Sequence, residues 1–412
     1  MWMALLDRML KQVIRKGSLT LHAPNGRTYR YGDETGEPVT VRLLDPTLPR
    51  RIVQSPDLGV GEGYMDGGLT FDGDDLRGFM RLAVRNSEWV VGVPWHRSLD
   101  GLRYLRGRLR QYTPTSRARR NVAHHYDLSG ELYDLFLDSD KQYSCAYFRS
   151  PDDSLEQAQA QKKAHIAAKL ALRPGMRVLD IGCGWGGMAL TLARDHGAQV
   201  LGITLSEEQH RTATRRAAEA GLQDRVSFRL CDYREVEGRF DRVVSVGMFE
   251  HVGAPQYGAY FRQVSEKLTV DGIALIQTIG RTTPPGTNSP WIEKYIFPGG
   301  YIPALSEMTR AIERANLLPT DIEVWRLHYA ETIRHWLDRF EANIERARAL
   351  YDERFCRMWR YYLAACEQTF RMNRQVVYQV QLARSLDAVP LTRDYLHPRP
   401  EATQPLEQVA AE

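Results

Sequence analysis

Apolar positions along this chain recur with two periods, and the change from one to the other divides it into blocks. Over residues 1–16, Leu5, Leu6, Met9, Leu10 and Val13 fall at helical spacing among basic residues, which predicts an amphipathic basic helix. From Ser18 to Leu44 the period drops to two. Leu19–Leu21, Thr28–Tyr31 and Val39–Leu43 are short alternating runs broken by Pro24-Asn-Gly and Gly32-Asp, predicting a small antiparallel sheet. Asp74 to Asn86 reads as a helix with Asp74 placed to cap it.

From residue 177 onward short apolar runs alternate with helical patterns. Strands are predicted at 177–182, 198–203, 226–231, 241–247 and 272–279, with helices at 186–196, 206–220 and 255–268 between them. That alternation implies a parallel sheet covered on both faces. Ser206-Glu-Glu-Gln209 has the spacing of a capping box, so a further role for Gln209 is a separate claim. Beyond Pro284-Pro285-Gly, the aromatic-rich stretch Trp291–Tyr301 suits an insertion over a site. Helices at 330–350 and 352–372 and an alternating strand at 376–383 complete the pattern.

Composition narrows the classes. The length of 412 residues allows two or three domains, and 43% hydrophobic with 26% charged residues is the balance of a globular protein. No run of ~18 apolar residues is present to span a bilayer, and the opening Met-Trp-Met-Ala-Leu-Leu, broken by Asp7 and Arg8, is a poor signal peptide. A net charge of +4 is too small to argue for nucleic acid. Cysteines 145, 183, 231, 356 and 366 have no CxxC spacing and read as free thiols of a cytoplasmic protein. Between Arg97 and Arg120 stand eight arginines against one acid, Asp100, either a solvated helix face or an anchor for anionic lipid head groups. Residues 121–148 are rich in aromatic and polar groups and suggest a helical lid. His124 and His125 lack further ligands at metal-binding spacing, so no metal site is expected.

The candidate chemistry centres on residues 177–190, Arg-Val-Leu-Asp-Ile-Gly-Cys-Gly-Trp-Gly-Gly-Met-Ala-Leu. A short apolar strand runs into Gly182, Gly184 and Gly186. Without side chains these allow a tight turn whose amides face a ligand at a helix N-terminus. The spacing also fits a dinucleotide fingerprint, a weak match alone. Asp180, placed before the first glycine, suits a cofactor with a cationic amino-acid end better than one with a pyrophosphate. That favours S-adenosylmethionine over NAD.

Several further motifs accompany the loop: Tyr143-Ser-Cys145, Gly202-Ile-Thr-Leu-Ser206, Ser245-Val-Gly-Met-Phe-Glu-His-Val-Gly253, Trp291-Ile-Glu-Lys-Tyr-Ile-Phe-Pro298, and Tyr329 seven residues before Trp336. Gly63-Tyr-Met-Asp-Gly67 adds a match nearer the N-terminus. Together they make the chain resemble the cyclopropane-fatty-acyl-phospholipid synthase family, which includes the mycolic-acid cyclopropane synthases. These are S-adenosylmethionine-dependent methyltransferases acting on double bonds of lipid acyl chains. The resemblance covers about 60–396 and, more loosely, the N-terminal region. It implies an α/β class I methyltransferase Rossmann-like fold with a seven-stranded, mostly parallel sheet and a smaller N-terminal α+β domain. The boundaries expected are 1–115 for an N-terminal domain that dimerises and docks the membrane, 116–396 for the catalytic domain, and 397–412 for a flexible tail.

The resemblance also implies roles for residues. Tyr143 and Ser144 would lie near the amino-acid end of the cofactor, with Asp180, Gly182 and Gly184 at the loop. Thr204 and Gln209 would follow the second strand, and Asp232, Tyr233 and Val246 would line the adenine pocket. Asp232 could equally be a turn residue, and Val246 a core residue. Methyl transfer to an unactivated alkene leaves a carbocation, so ring closure needs a dry site and a base for the proton of the new methyl group. The resemblance makes that base a bound bicarbonate held by Cys145, Glu250, Tyr329 and the backbone at Ile279. Gln277-Thr-Ile-Gly280 departs from the family, whose synthases commonly carry histidine where Gln277 stands. Glutamine can donate a hydrogen bond but relays no proton at neutral pH. The product is therefore open between a cyclopropane and a methylene- or methyl-branched chain, the ring being preferred. The expected partners are unsaturated phospholipid acyl chains, with peripheral contact at the membrane surface, a homodimer, and no nucleic acid. A methyltransferase acting on a polar small molecule would need a side-chain base, and a lipid-binding protein without catalysis would not need Glu250 or Tyr329.

Overall fold

A computed structural model of the chain describes residues 1–87 and 130–396. The arginine-rich segment 97–120, His124 and His125, the boundary at 115/116 and the tail 397–412 lie outside the described residues.

The N-terminal region opens with helix α1 (Trp2–Val13), which buries Leu6 and Met9. Leu5, expected on the same face, is exposed, because it sits roughly 100° round the helix from the centre of that stripe. Strands β1 (Ser18–His22), β2 (Thr28–Gly32) and β3 (Pro38–Leu43), helices α2 (Leu48–Gln54) and α3 (Pro56–Met65), strand β4 (Leu69–Phe71) and helix α4 (Leu76–Arg85) follow. The four strands form one sheet in the order β2-β1-β3-β4. The expected antiparallel sheet is corrected to a mixed one, since β1 pairs in parallel with β3. The reason is topological: Gly32 ends β2 opposite Ser18, so the chain re-enters beside the start of β1 and must run with it. The cap of α4 shifts by one residue. Asp75, not Asp74, accepts the Gly78 N–H at 2.8 Å, while Asp74 holds a left-handed conformation in the preceding turn.

The second region begins with the short helix α5 (Gly130–Asp134) and irregular chain to residue 154, so the expected helical lid is mostly non-helical where it is described. Helix α6 (Leu155–Lys169) leads into β5 (Arg177–Ile181), α7 (Gly187–His196), β6 (Gln199–Thr204), α8 (Glu207–Glu219), β7 (Val226–Leu230), β8 (Phe240–Val246), α9 (Tyr257–Lys267) and β9 (Leu268–Arg281). Then come α10 (Pro290–Tyr295), α11 (Leu305–Arg314), β10 (Leu318–Trp325), α12 (His328–Ala342), α13 (Ile344–Leu350), α14 (Glu353–Met372) and β11 (Gln375–Ala383). The seven strands β5 to β11 are ordered β10-β11-β9-β8-β5-β6-β7. Pairs among β5 to β9 are parallel, and β11 runs antiparallel to both its neighbours. This is the expected α/β fold.

One hydrophobic cluster joins the two regions, running from Leu6 and Leu19 through Trp291 and Trp336 to Tyr362 on α14. Helix α10 is bound to the N-terminal region by polar contacts as well. Asp57 accepts from Ser289 Oγ at 2.6 Å and Trp291 N at 3.0 Å, and Glu62 accepts from Lys294 Nζ at 2.7 Å and Tyr295 Oη at 2.9 Å. The Trp291–Tyr301 stretch is thereby pinned to the N-terminal region, and its far end reaches Glu250, whose backbone carbonyl accepts from Tyr301 N at 2.9 Å.

Candidate active site

The site forms where β5 gives way to α7. Gly182, Gly184 and Gly186 all adopt positive φ (81°, 54° and 85°), a conformation that side chains other than glycine rarely hold. The expected row of ligand-facing amides is corrected in part. Gly182 N and Cys183 N both donate to Ile203 O at 3.0 Å, and Gly186 N donates to Cys183 O at 3.0 Å, so these three hold the turn itself. Segment 140–142 packs on the helix start so closely that a Cβ at Gly187 would meet Gln142 Nε2 at 2.3 Å.

Above this turn lies an open cleft of about 1240 Å³, counting the solvent at its mouth. Its wall includes Tyr143, Ser144, Asp180, Gly182, Gly184, Thr204, Gln209, Asp232, Tyr233 and Val246, so every residue expected at the cofactor meets at one cavity. Asp180 is fully buried, its Oδ2 has no hydrogen-bond partner, and burial pushes its carboxyl up to about 7. The Ser206 hydroxyl caps α8 by accepting from Gln209 N at 3.3 Å. The Gln209 side chain does not return the bond as a capping box requires. It accepts from Thr204 Oγ1 at 2.7 Å and faces the cleft. Both carboxylate oxygens of Asp232 are engaged by Arg234 at 2.7 Å, so its turn role is present alongside its place on the wall.

A second group adjoins the cleft around Glu250, whose neighbours Met248, His251 and Val252 line the cleft wall while Glu250 itself does not. Glu250 follows β8 in a short 3-10 turn, and its Oε1 accepts the Ile279 N–H at 2.6 Å. Its Oε2 is buried without a partner, and burial raises the carboxyl to about 7. The Ile279 amide, expected to face an anion directly, is thus spent on Glu250. Gln277 Nε2 points at Cys145 O, 3.4 Å away. Cys145 itself is buried, donates from Sγ to Ala146 O at 3.3 Å, and has its thiol pushed far up by burial, so it stays neutral. Thr332 Oγ1 accepts from Ala146 N at 3.0 Å, tying that strand of chain to α12, where Tyr329 stands one turn earlier against Phe370 and Trp336. His251, on the cleft wall, is driven by burial down to about 4 and is neutral at ordinary pH.

Several residues escaped the reading of the sequence. Lys162 on α6 is fully buried, donates to Gln142 Oε1 at 2.7 Å and Ser144 Oγ at 2.8 Å, and is lowered by burial to about 8. A lysine on the Ala158–Ile166 face of a helix opened by the Ser154–Gln157 capping box was the signal that could have found it. Gln379 on β11 lies directly opposite Gln277 and donates from Nε2 to Gln277 Oε1 at 2.8 Å. Tyr362 on α14 bonds the Tyr143 hydroxyl at 2.9 Å. The five cysteines are free thiols. No helix among the described residues is long and apolar enough to cross a membrane.

Comparison with known proteins places this architecture. The family model described as mycolic acid cyclopropane synthetase matches residues 113–380. The chain is 39% identical over 352 residues to the cyclopropane-fatty-acyl-phospholipid synthase of Escherichia coli K12, covering 85% of this chain and 89% of that protein. It is 35% identical to the tuberculostearic acid methyltransferase UfaA1 of Mycobacterium tuberculosis, covering 92% and 91%. Among solved structures, the mycolic acid cyclopropane synthase CmaA1 complexed with SAH and CTAB aligns with a TM-score of 0.61 at 32% identity, covering 64% of this chain and 97% of that one.

Proposed function

Because this chain belongs to the mycolic acid cyclopropane synthetase family and is an S-adenosylmethionine-dependent methyltransferase, we propose that its substrate is an unsaturated acyl chain of a membrane phospholipid. It adds a methylene group across the double bond to form a cyclopropane, with bicarbonate as the base. The observation that carries this reading is Glu250, a buried carboxyl with one oxygen fixed by Ile279 N–H and the other without a partner, set behind the wall of the cleft.

S-adenosylmethionine, when bound, supplies an electrophilic methyl group. Asp180 would meet its cationic ammonium end, Tyr143 and Ser144 would lie beside that end with Ser144 positioned by Lys162, and Thr204 with Gln209 would contact it from the end of the second strand of this region. Asp232, Tyr233 and Val246 would line the adenine pocket. The unpartnered Glu250 Oε2 suits the O–H of a bicarbonate, whose remaining oxygens would be held by the Tyr329 hydroxyl, the Gln277 amide and the chain at Cys145. Ile279 acts through Glu250 by fixing its other oxygen. Tyr143, Tyr329 and Trp336 offer π faces to positive charge on the acyl chain, and the burial of the whole group excludes water. Residues 1–115 act as a docking domain and 116–396 as the catalytic domain, with homodimerisation and peripheral membrane contact in the same reading.

The test is lipid analysis of a host rich in monounsaturated chains, with and without this protein. A product heavier by one methylene and retaining a ring by NMR supports the proposal, and no new lipid refutes it. The second reading, a methylene- or methyl-branched product, rests on Gln277 standing where cyclopropane synthases commonly carry histidine. It would keep cofactor and fold but move the proton loss elsewhere.

A further inference from the structure

The N-terminal region contains a second cavity, remote in its lining from the cleft. A cavity of about 300 Å³, open at one side, lies between α1, the four-stranded sheet and helices α2 to α4, at the lower end of the ~300–1,000 Å³ of a typical small-ligand site. Its described wall is almost wholly aliphatic, with Leu6, Met9 and Val13 of α1 facing Leu21, Val41 and Phe79. Among the described lining residues, Asp57 and Tyr361 alone carry polar side chains, and Asp57 Oδ2 already accepts from Ser289 and Trp291.

Protein interiors normally pack as densely as organic crystals, so a void of this size in a small region is unusual. Ordered water needs two to four polar partners, and this wall cannot supply them. What fits is a flexible methylene chain. The roof supports an assignment of its head group. Helix α1 turns Leu6, Met9 and Val13 inward and leaves Arg8 and Lys11 exposed, Lys11 being paired with Asp7 at 2.8 Å, with Arg15 and Lys16 exposed just beyond its end, the arrangement that attracts an anionic head while its tail enters apolar surroundings. We propose that this cavity binds one acyl chain of an anionic lipid, at a site separate from the one where catalysis takes place. The chemistry is shared by a free long-chain fatty acid and by the tail of an anionic phospholipid.

The proposal is tested on the full-length protein with a long-chain fatty acid bearing a mid-chain diazirine, without cofactor, so that the result does not depend on the reaction catalysed. Photolysis followed by peptide mapping should place label within residues 1–22 and 76–85. Label confined to peptides from 130–396 overturns it. Ala83→Phe, which fills the cavity from α4, should abolish that label and leave the melting temperature of the delipidated protein unchanged or higher. Undiminished labelling of a folded Ala83→Phe protein refutes the site, and if that variant does not fold, the wild-type map decides. Vesicles of phosphatidylglycerol carrying the same diazirine distinguish the sources. Label from vesicles at these peptides identifies a membrane lipid, and label from the free acid alone identifies a fatty acid.

Discussion

Two buried carboxyls set the pH behaviour of the site. Asp180 and Glu250 are both raised to about 7 by burial, from ordinary values of 3.8 and 4.5. The folded protein therefore keeps protons that the unfolded chain has already lost. Stability from these groups is fully present below about pH 4 and is lost as pH rises through about 7. An ammonium group can pair only with the ionised Asp180, so affinity for S-adenosylhomocysteine should fall below pH 7, approaching about tenfold per pH unit. Calorimetric titration from pH 8 to 5.5 checks this, and Asp180→Asn should remove the pH dependence, weaken binding and raise the melting temperature of the unliganded protein at pH 8. Glu250→Gln should lower turnover by roughly 10²–10⁴-fold while cofactor affinity stays near normal. Near-normal turnover would sink the role given to Glu250. Gln379→Leu leaves Gln277 Oε1 buried without its donor. Urea unfolding should show a loss of about 1–3 kcal/mol, and turnover should fall with little change in cofactor affinity.

At the scale of elements, α3 shows why local propensity and tertiary need diverge. It carries Gly59, Gly61 and Gly63, and a glycine inside a helix costs about 0.5–1 kcal/mol relative to alanine. A Cβ at Gly61 would meet the Trp291 indole at 2.4 Å, so α10 approaches α3 only because that position is bare. Gly61→Ala should therefore destabilise despite its better propensity, since overpacking costs typically ~1–3 kcal/mol and exceeds the helical gain. Denaturant titration gives the sign, and faster proteolysis within 284–301 should accompany it as that segment loosens. Most strands of the large sheet were legible: β5, β6 and β8 carry the apolar pairs Val178-Leu179, Val200-Leu201 and Val243-Val244, and β11 alternates Val376, Tyr378, Val380 and Leu382 with its glutamines. Strand β10 was not, because as an edge strand paired only to β11 it reads Leu-Pro-Thr-Asp-Ile-Glu-Val-Trp. Its Asp321 and Glu323 are matched by Lys169 from α6, a pairing 152 residues apart that no local pattern announces. The predicted helix at 330–350 is broken at Asn343, whose backbone N–H still bonds Arg339 O at 3.1 Å while its side-chain Nδ2 donates to Leu135 O at 3.1 Å.

For the whole molecule, the relevant quantities are charge and continuity. The net charge of +4 is small, yet cations concentrate in the 97–120 segment of the sequence and on the outer side of α1. Neutralising four arginines between 103 and 120 should weaken binding to anionic vesicles by about 1 kcal/mol for each cation that works near the surface, and rising salt should have the same effect. Co-sedimentation measures both, and indifference to mutation and to salt would leave the segment a solvated face. The hydrophobic cluster that runs from α1 to α14 joins the N-terminal sheet to the helices flanking Tyr143 and Tyr329.

The resemblance to the family supplied the set of residues that meets at the cleft, and the sequence alone determined the glycine turn after β5 and the alternation that makes a parallel sheet. These rest on short-range chemistry, in which positive φ, period and residue type are properties of neighbouring positions. Only the tertiary structure decided what each group has left to offer a ligand. The Gly182 and Cys183 amides are consumed by Ile203, the Ile279 amide by Glu250, and the Gln277 side-chain carbonyl by Gln379 on the neighbouring strand. It likewise raised two carboxyls toward neutrality and left an apolar cavity beneath α1. Burial, hydrogen-bond competition and packing volume depend on parts of the chain far apart in sequence, and so they become defined only when the chain has folded.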